Sequence, residues 1–421
     1  MTARRLTLAA ALAALAIAFF ALRPPPTQGP ALRDFEAYYA GGTTWRYHGD
    51  PYGRDVWRTE RTIPGVVATR DELLPFVGPP YALPLYDALA RLPWPAATIV
   101  WEAVLAAAVA VLAFGTLRIA GGRTGALDAT ASLVFVAGFG PLTSGIALGQ
   151  AAVVACAGIV LVPLVLGPRL VLAATAAALA AALQPNLAIV LAARLAGTRS
   201  FIAFAFAFTI AAGGSLLALG GPDGLAHYAD VLRRHAAAER FIAIQTSPAA
   251  VARALGATAH AAGTIGIVVA AIALAGIAAQ CFSRRYAPNE RLALACAAAP
   301  LVFPFAHEHD FTIAFLPALL VTRRASGGAW FVAACASLGI AVDWLGLAQR
   351  HAGVGESAAL AAAAALALAA LTRARLRPYH YVPVLVAAVV VIVGAAAAHA
   401  PRPPWAAALG AHVDERLDVA A

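Results

Sequence analysis

The chain has 421 residues, 62% of them hydrophobic and only 12% charged, with a mean hydropathy of +0.78. No soluble domain of this size has that balance, so the sequence is that of an all-α protein crossing a membrane many times. The net charge of +9 does not point to nucleic acid, because the arginines are scattered between apolar runs and build no basic patch. Every basic side chain is arginine, with no lysine, and alanine dominates; both features read as coding composition. Cys156, Cys281, Cys296 and Cys335 lie in or beside apolar runs without CxxC or Cys/His spacing, and read as small core residues.

The first apolar run, Leu6–Leu22, follows Arg4 and Arg5 and is succeeded by Arg23-Pro24-Pro25-Pro26. It lacks a small-residue cleavage site, which favours an uncleaved transmembrane helix over residues 1–22. Residues 23–95 are hydrophilic. Residues 96–400 carry the other apolar runs: Ala96–Leu117, Ala129–Ala147, Gly149–Gly167, Leu170–Gln184, Asn186–Leu195, Phe201–Gly220, Ala262–Phe282, Leu292–Phe305, Phe311–Val321, Ala329–Leu347, Ala358–Leu371 and Tyr381–His399. Together these predict a bundle of about 11–13 spans. The two short runs meeting at Pro185 read as a helical hairpin or a broken helix. A second hydrophilic stretch covers residues 221–261, and a polar tail covers 401–421.

Arginines fall on alternate short connections, at Arg4/Arg5, Arg118/Arg123, Arg169, Arg194/Arg199, Arg284/Arg285/Arg291, Arg323/Arg324 and Arg373/Arg375/Arg377. The positive-inside rule puts those connections in the cytoplasm and both hydrophilic stretches outside a plasma membrane. No repeat of 20–50 residues and no phosphate-binding glycine loop of the P-loop form is visible.

The polar residues cluster outside. In Arg33-Asp34-Phe35-Glu36-Ala37-Tyr38-Tyr39-Ala40-Gly41-Gly42, a helix starting at Asp34 puts Tyr38 one turn along the same face. On local chemistry alone, Asp34 also suits a helix cap, and Tyr38, Tyr39 and Trp45 an interfacial aromatic belt. Gly78-Pro79-Pro80-Tyr81 must turn, since paired prolines cannot sit inside a helix. Further along come Gly149-Gln150, Gln184-Pro185, Arg240 with Gln245-Thr246-Ser247, and His307-Glu308-His309-Asp310. The arginines near 240 also fit a solvated amphipathic helix. Four consecutive residues cannot all ligate one ion from a helix, so no metal is expected at His307–Asp310, and no other cofactor is expected.

The order D-F-x-x-Y-Y-x-A-G-G, then an aromatic, then G-x-P-Y resembles the opening signature of glycosyltransferase family 87. The run G-P-P-Y-x-L-P-L…L-P resembles its second signature. The resemblance extends from Asp34 to about Phe315 by the order of its motifs. Gln150 stands at the family's Gly-Gln pair, and Gln184 stands where the family has Lys. Gln245-Thr246-Ser247 falls at Asn-Gln-Ser, and His307, His309 and Asp310 at Trp, His and His. The resemblance implies a GT-C-type membrane bundle whose exterior loops carry short amphipathic helices. It would pass mannose from a polyprenyl-phosphate donor to a lipid-linked or glycan acceptor, at the exterior face of the membrane lipids.

A single inverting displacement needs a carboxylate base opposite the leaving phosphate. Asp34 is the candidate base, with Glu36 as its substitute. Asp34 follows Arg33, stands near a helix start and faces aqueous space, which all favour the ionised form. Arg240, His309 and Gln245 are the candidates for charge neutralisation at the phosphate. Tyr38, Tyr39, Pro79, Pro80, Tyr81, Gln150, Gln184 and His307 complete the expected substrate site. A transporter or lipid flippase is the rival reading, disfavoured because ionisable residues are nearly absent from the segment centres. An oligosaccharide ligase or polymerase is the enzymatic rival.

Overall fold

The computed structural model describes residues 32–64, 66, 73–121, 139–165, 171–195, 201–241, 245–282 and 286–324, with isolated positions at 132, 136, 336–337, 340, 363–365 and 367. The predicted spans Leu6–Leu22 and Tyr381–His399 and the tail 401–421 lie outside the described residues. Ala329–Leu347 and Ala358–Leu371 do so almost entirely.

Among the described residues the elements are all helical. The first hydrophilic stretch folds as α1 (Arg33–Arg46), α2 (Arg54–Glu60), a 3-10 turn at Pro80–Ala82 and α3 (Leu83–Ala90). The bundle continues with α4 (Trp94–Ala110), a π-turn at Val111–Gly115, α5 (Thr116–Ile119), α6 (Gly140–Leu148), α7 (Ala151–Val165), α8 (Val171–Ala181), α9 (Pro185–Ala188), α10 (Val190–Leu195) and α11 (Phe201–Ala218). Then come α12 (Pro222–Glu239), α13 (Pro248–Ala254), α14 (Ala259–Phe282), α15 (Pro288–Val302), a 3-10 helix at Glu308–Ala314 and α16 (Phe315–Arg324).

Among the described residues two helices are long and apolar enough to cross a membrane, Trp94–Ile119 with 26 residues and α14 with 24. At 1.5 Å per residue each spans more than the roughly 30 Å of a hydrocarbon core. Ile267, Ile272 and Phe282 on α14 and Ile99 on α4 are exposed, as apolar side chains facing lipid would be. α11 and α12 meet at 102°, where Gly220 and Gly221 take φ of +72° and +126°. Positive φ costs glycine nothing, so the apolar α11 ends there and the polar α12 turns away from it. This is the expected shift from spanning segment to hydrophilic stretch.

The break at Pro185 takes the broken-helix form: α8 stops at Ala181 and α9 restarts on Pro185, whose missing N–H costs nothing at a first helical turn. One boundary differs from expectation. Phe311 does not open an apolar α-helix; the chain stays in a 3-10 helix to Ala314, held at its start by the Asp310 carboxylate accepting from the His307 N–H at 3.0 Å.

Close packing explains part of the Ala and Gly content. A Cβ on Gly158 of α7 would lie 2.6 Å from the Ala177 carbonyl and the Ala181 nitrogen of α8, so those backbones nearly touch. Small residues permit such contacts between apolar helices. The same device joins α1 to α3, where a Cβ on Gly42 would lie 2.4 Å from the Tyr86 backbone carbon. Beside that contact, Arg46 donates to Asp87 at 2.5 Å and to the Asp87 carbonyl at 2.6 Å, and Arg91 donates to the same carboxylate at 2.9 Å. Burial works to raise the Asp87 pKa, but the two guanidiniums outweigh it and hold it below the ordinary value.

Candidate active site

α1 is fixed from below by the corner between α6 and α7. Leu32, at φ +64°, donates its N–H to the Ala147 carbonyl at 2.9 Å. Gly149 ends α6 at φ +73°, and a Cβ there would lie 2.9 Å from the Phe35 Cβ. Trp101 of α4 locks the corner by donating to the Gly149 carbonyl at 2.8 Å. Glycine is needed at 149 for both its backbone angle and its lack of a side chain.

The locked corner presents Gln150 to α1. Its Nε2 donates to Asp34 Oδ2 at 2.5 Å, and its Oε1 accepts from the Tyr38 hydroxyl at 2.9 Å. The i, i+4 pair read from the sequence is therefore bridged by a side chain more than a hundred residues away. Asp34 is the second residue of α1, after Leu32 in the N-cap position, and the start shows no side-chain cap. Its carboxylate is spent on Gln150, so the capping reading does not hold. For Tyr38 the belt reading fails as well. Tyr38 is buried and stacks on Tyr86 at 4.9 Å. The Tyr39 hydroxyl donates to the Leu92 carbonyl, and the Trp45 indole to the Ala218 carbonyl.

The expected ionisation of Asp34 needs correction. Asp34 keeps some exposure, but the protein packed around it removes hydration from the charge. That desolvation raises its pKa to about 6, against the lowering effects of the Gln150 hydrogen bond and the Arg33 and His307 charges. Gln150→Leu is therefore expected to move the acid limb of the pH–rate profile to higher pH, since it removes a bond that favours the carboxylate. A kcat/KM profile checks this; an unmoved limb would separate Gln150 from the reacting carboxylate. Glu36 lies two residues on, about 200° around the helix from Asp34. It is buried and faces away from the Asp34 side.

Facing Asp34 is the segment after α15. Thr246 donates its N–H and its hydroxyl to the Ala306 carbonyl at 2.7 and 2.8 Å. Gln245 accepts the Ala306 N–H at 3.0 Å, so Gln245 clamps the backbone that carries His307. Ser247 caps α13 by accepting from Ala250 at 3.3 Å. His307 approaches Glu239, the last residue of α12, with Nε2 3.3 Å from Oε2. Burial opposes a charge on His307, but the Glu239 hydrogen bond and the Glu239, Asp310 and Asp34 charges outweigh it, and the pKa is raised. His309 differs: burial and the neighbouring His307 push its pKa down to about 3. It is therefore neutral near pH 7 and cannot supply the positive charge expected of it.

The other expected residues are spread around this centre. Arg240 is exposed at the end of α12, with its guanidinium by Gly263 of α14 and 5.1 Å from the Phe241 ring centre. Pro79 and Pro80 start the 3-10 turn, and the Tyr81 hydroxyl donates to the Leu179 carbonyl of α8 at 2.8 Å. Gln184 is the half-buried residue before Pro185. None of these five residues has a contact with Asp34 or His307 among the described interactions. Glu239 and His235 were missed. The only signal was their i, i+4 spacing in α12, which a solvated helix also produces. Among the described residues no group of three or more His, Cys, Asp or Glu side chains is arranged to hold a metal ion.

Compared with known protein families, the chain matches glycosyltransferase family 87 over residues 76–304, more than half its length. Gln150, Gln184, Glu239 and Gln245 fall inside that range, while Asp34 and His307 lie before and after it. No curated protein and no solved structure gives a match. The apolar bundle and the family match lead to one conclusion: the chain belongs to glycosyltransferase family 87 and is a membrane glycosyltransferase.

Proposed function

We propose that the enzyme transfers a hexose, mannose by the resemblance, from a polyprenyl-phosphate donor to a hydroxyl of a lipid-linked or glycan acceptor, with inversion. The observation that carries this reading is Asp34: a carboxylate oriented by Gln150 and within electrostatic reach of His307 and Glu239. In the reaction the acceptor oxygen forms a bond to the anomeric carbon as that carbon's bond to phosphate breaks. Asp34 takes the acceptor proton and becomes neutral. The bonding electrons leave with the phosphate, which goes from one negative charge to two. The leaving group needs a positive neighbour more than a proton. His307, within electrostatic reach of Asp34, is assigned to that role, and Arg240, exposed one residue beyond Glu239, is assigned to the donor's phosphate.

The buried rings of Tyr38 and Tyr86 form the apolar floor under Asp34, and Tyr39, Pro79, Pro80, Tyr81 and Gln184 are assigned to the wider substrate groove. The site opens to the exterior face of the plasma membrane in this reading. In a cysteine-free background, Thr59→Cys is expected to react with an impermeant thiol reagent in intact cells and Ser283→Cys to be protected; the reverse pattern would invert the orientation. Reconstitution into proteoliposomes tests the activity itself. Net movement of lipid or solute without sugar transfer would favour a transporter, and transfer of a preformed chain would favour a ligase.

A further inference from the structure

We infer that Glu239 is a positioning residue that fixes His307 as an imidazolium within electrostatic reach of Asp34, so that His307 supplies the positive charge at the reacting centre. This rests on the glycosyl-transfer reading above. Three observations carry it, and Glu239, the residue it assigns, lies outside the motifs that carry the family resemblance.

The first is geometry. Glu239 Oε2 lies 3.3 Å from His307 Nε2 and 3.6 Å from His235 Nε2, so one carboxylate serves two imidazoles. His235 sits one turn back on α12. The Phe305 ring lies near both, 5.6 Å from the His235 ring and 4.9 Å from the His307 ring between centres.

The second is field. α12 runs 18 residues and ends at Glu239, so its negative pole lies where His307 approaches, and a cation there is stabilised. The groups facing His307 are Asp34 from α1, His235 and Glu239 from α12, and His309 and Asp310 from its own segment. Three are carboxyls and two are imidazoles, of which His309 is held neutral.

The third is immobilisation. His307 cannot drift from Glu239, because Gln245 and Thr246 hold the preceding residue by both backbone groups. The His307 N–H is in turn bound by the Asp310 carboxylate. A weakly clamped histidine would lose its charge when a diester displaced the acid. Here the acid is fixed on a helix and the base on a doubly clamped strand of chain. The imidazolium is thus preformed where charge develops on the leaving phosphate.

The test uses the full-length enzyme in proteoliposomes with a synthetic polyprenyl-phosphate mannose and a glycolipid acceptor. Glu239→Gln and His307→Gln are each expected to lower kcat at least tenfold, and the double variant is expected to be no worse than the poorer single one, because both remove the same charge. His307→Arg in the Glu239→Gln background carries a charge that needs no partner and is expected to recover at least part of the loss. Losses that multiply in the double variant, or a Glu239→Gln enzyme within twofold of the parent, would overturn the inference. Nitrogen-15 histidine spectra of the parent at pH 7, with the His307 signals assigned by their loss in His307→Gln, give a readout besides activity: His307 with both ring nitrogens protonated supports it, and a neutral ring overturns it. A parent enzyme that transfers nothing from the polyprenyl donor while the spectra show the imidazolium would count against the functional reading and leave the Glu239–His307 pairing standing.

Discussion

Asp34→Asn is expected to lower sugar transfer about 100- to 10,000-fold, the usual cost of losing a general base. Asparagine keeps the size of the side chain but cannot take the acceptor proton. Desolvation has raised the Asp34 pKa to about 6, so the parent's kcat/KM should fall as pH drops through that value while the variant's residual rate shows no such limb. Stability should move the other way. A carboxyl whose folded pKa lies above its unfolded one favours folding in the protonated form and loses that advantage as pH rises from about 4 to 6. At pH 7.5 the carboxylate is therefore a burden that asparagine lacks, and the variant should melt no lower than the parent. Retention of more than about a tenth of the parental rate would remove Asp34 from the role of base. The large loss appearing at Glu36→Gln instead would be hard to reconcile with a residue on the far side of α1.

Gly42→Ala is expected to give the largest loss of stability. Its Cβ would lie 2.4 Å from the Tyr86 carbon and 2.5 Å from the Asp87 nitrogen. Both are backbone atoms, so no rotamer change relieves the clash and α1 must lift from α3. Overpacking costs about 1–3 kcal/mol, and a clash with fixed backbone atoms belongs at the upper end. The shift would also break the Arg46–Asp87 contact and tilt Asp34 away from Gln150, so activity should fall with stability. Gly41→Ala is a milder case, because its clash is with the Phe76 ring. Gly213→Ala, with no atom within 4 Å, is the matched control and should be neutral. Thermal unfolding of the three variants in detergent checks the order; a Gly42→Ala enzyme as stable as the Gly213→Ala one would refute the close α1–α3 contact.

Much of the bundle can be read from hydrophobicity alone, because α4 and α14 carry long apolar runs and expose them. The α11–α12 bend is also written locally, in Gly220-Gly221-Pro222. The site is only half legible. Asp34 and Tyr38 share a helix face by periodicity, but only tertiary contact shows that Gln150 joins them. Gln245 looks like a phosphate ligand in one dimension; in the fold its carbonyl oxygen accepts the Ala306 N–H, a backbone clamp the sequence does not show, while its buried Nε2 makes no hydrogen bond among the described residues. His307 and His309 are two residues apart and chemically identical in the sequence. Their charges diverge because Glu239, 68 positions away from His307, holds one of them while burial neutralises the other. Electrostatics of this kind depends on which groups a fold brings within a few ångströms, and no local pattern carries that information.

In the proposed reaction the sugar arrives on a polyprenyl phosphate and Asp34 activates its acceptor. The most direct measurement offers purified enzyme in proteoliposomes two labelled donors in parallel, polyprenyl-phosphate mannose and a nucleotide-linked mannose, with a glycolipid acceptor, and repeats the assay with Asp34→Asn. A glycosylated acceptor is expected from the polyprenyl donor only, with inverted anomeric configuration, and a loss of at least a hundredfold in the variant. Transfer from the nucleotide donor alone, retention of configuration, or an Asp34→Asn enzyme that keeps pace with the parent would contradict it.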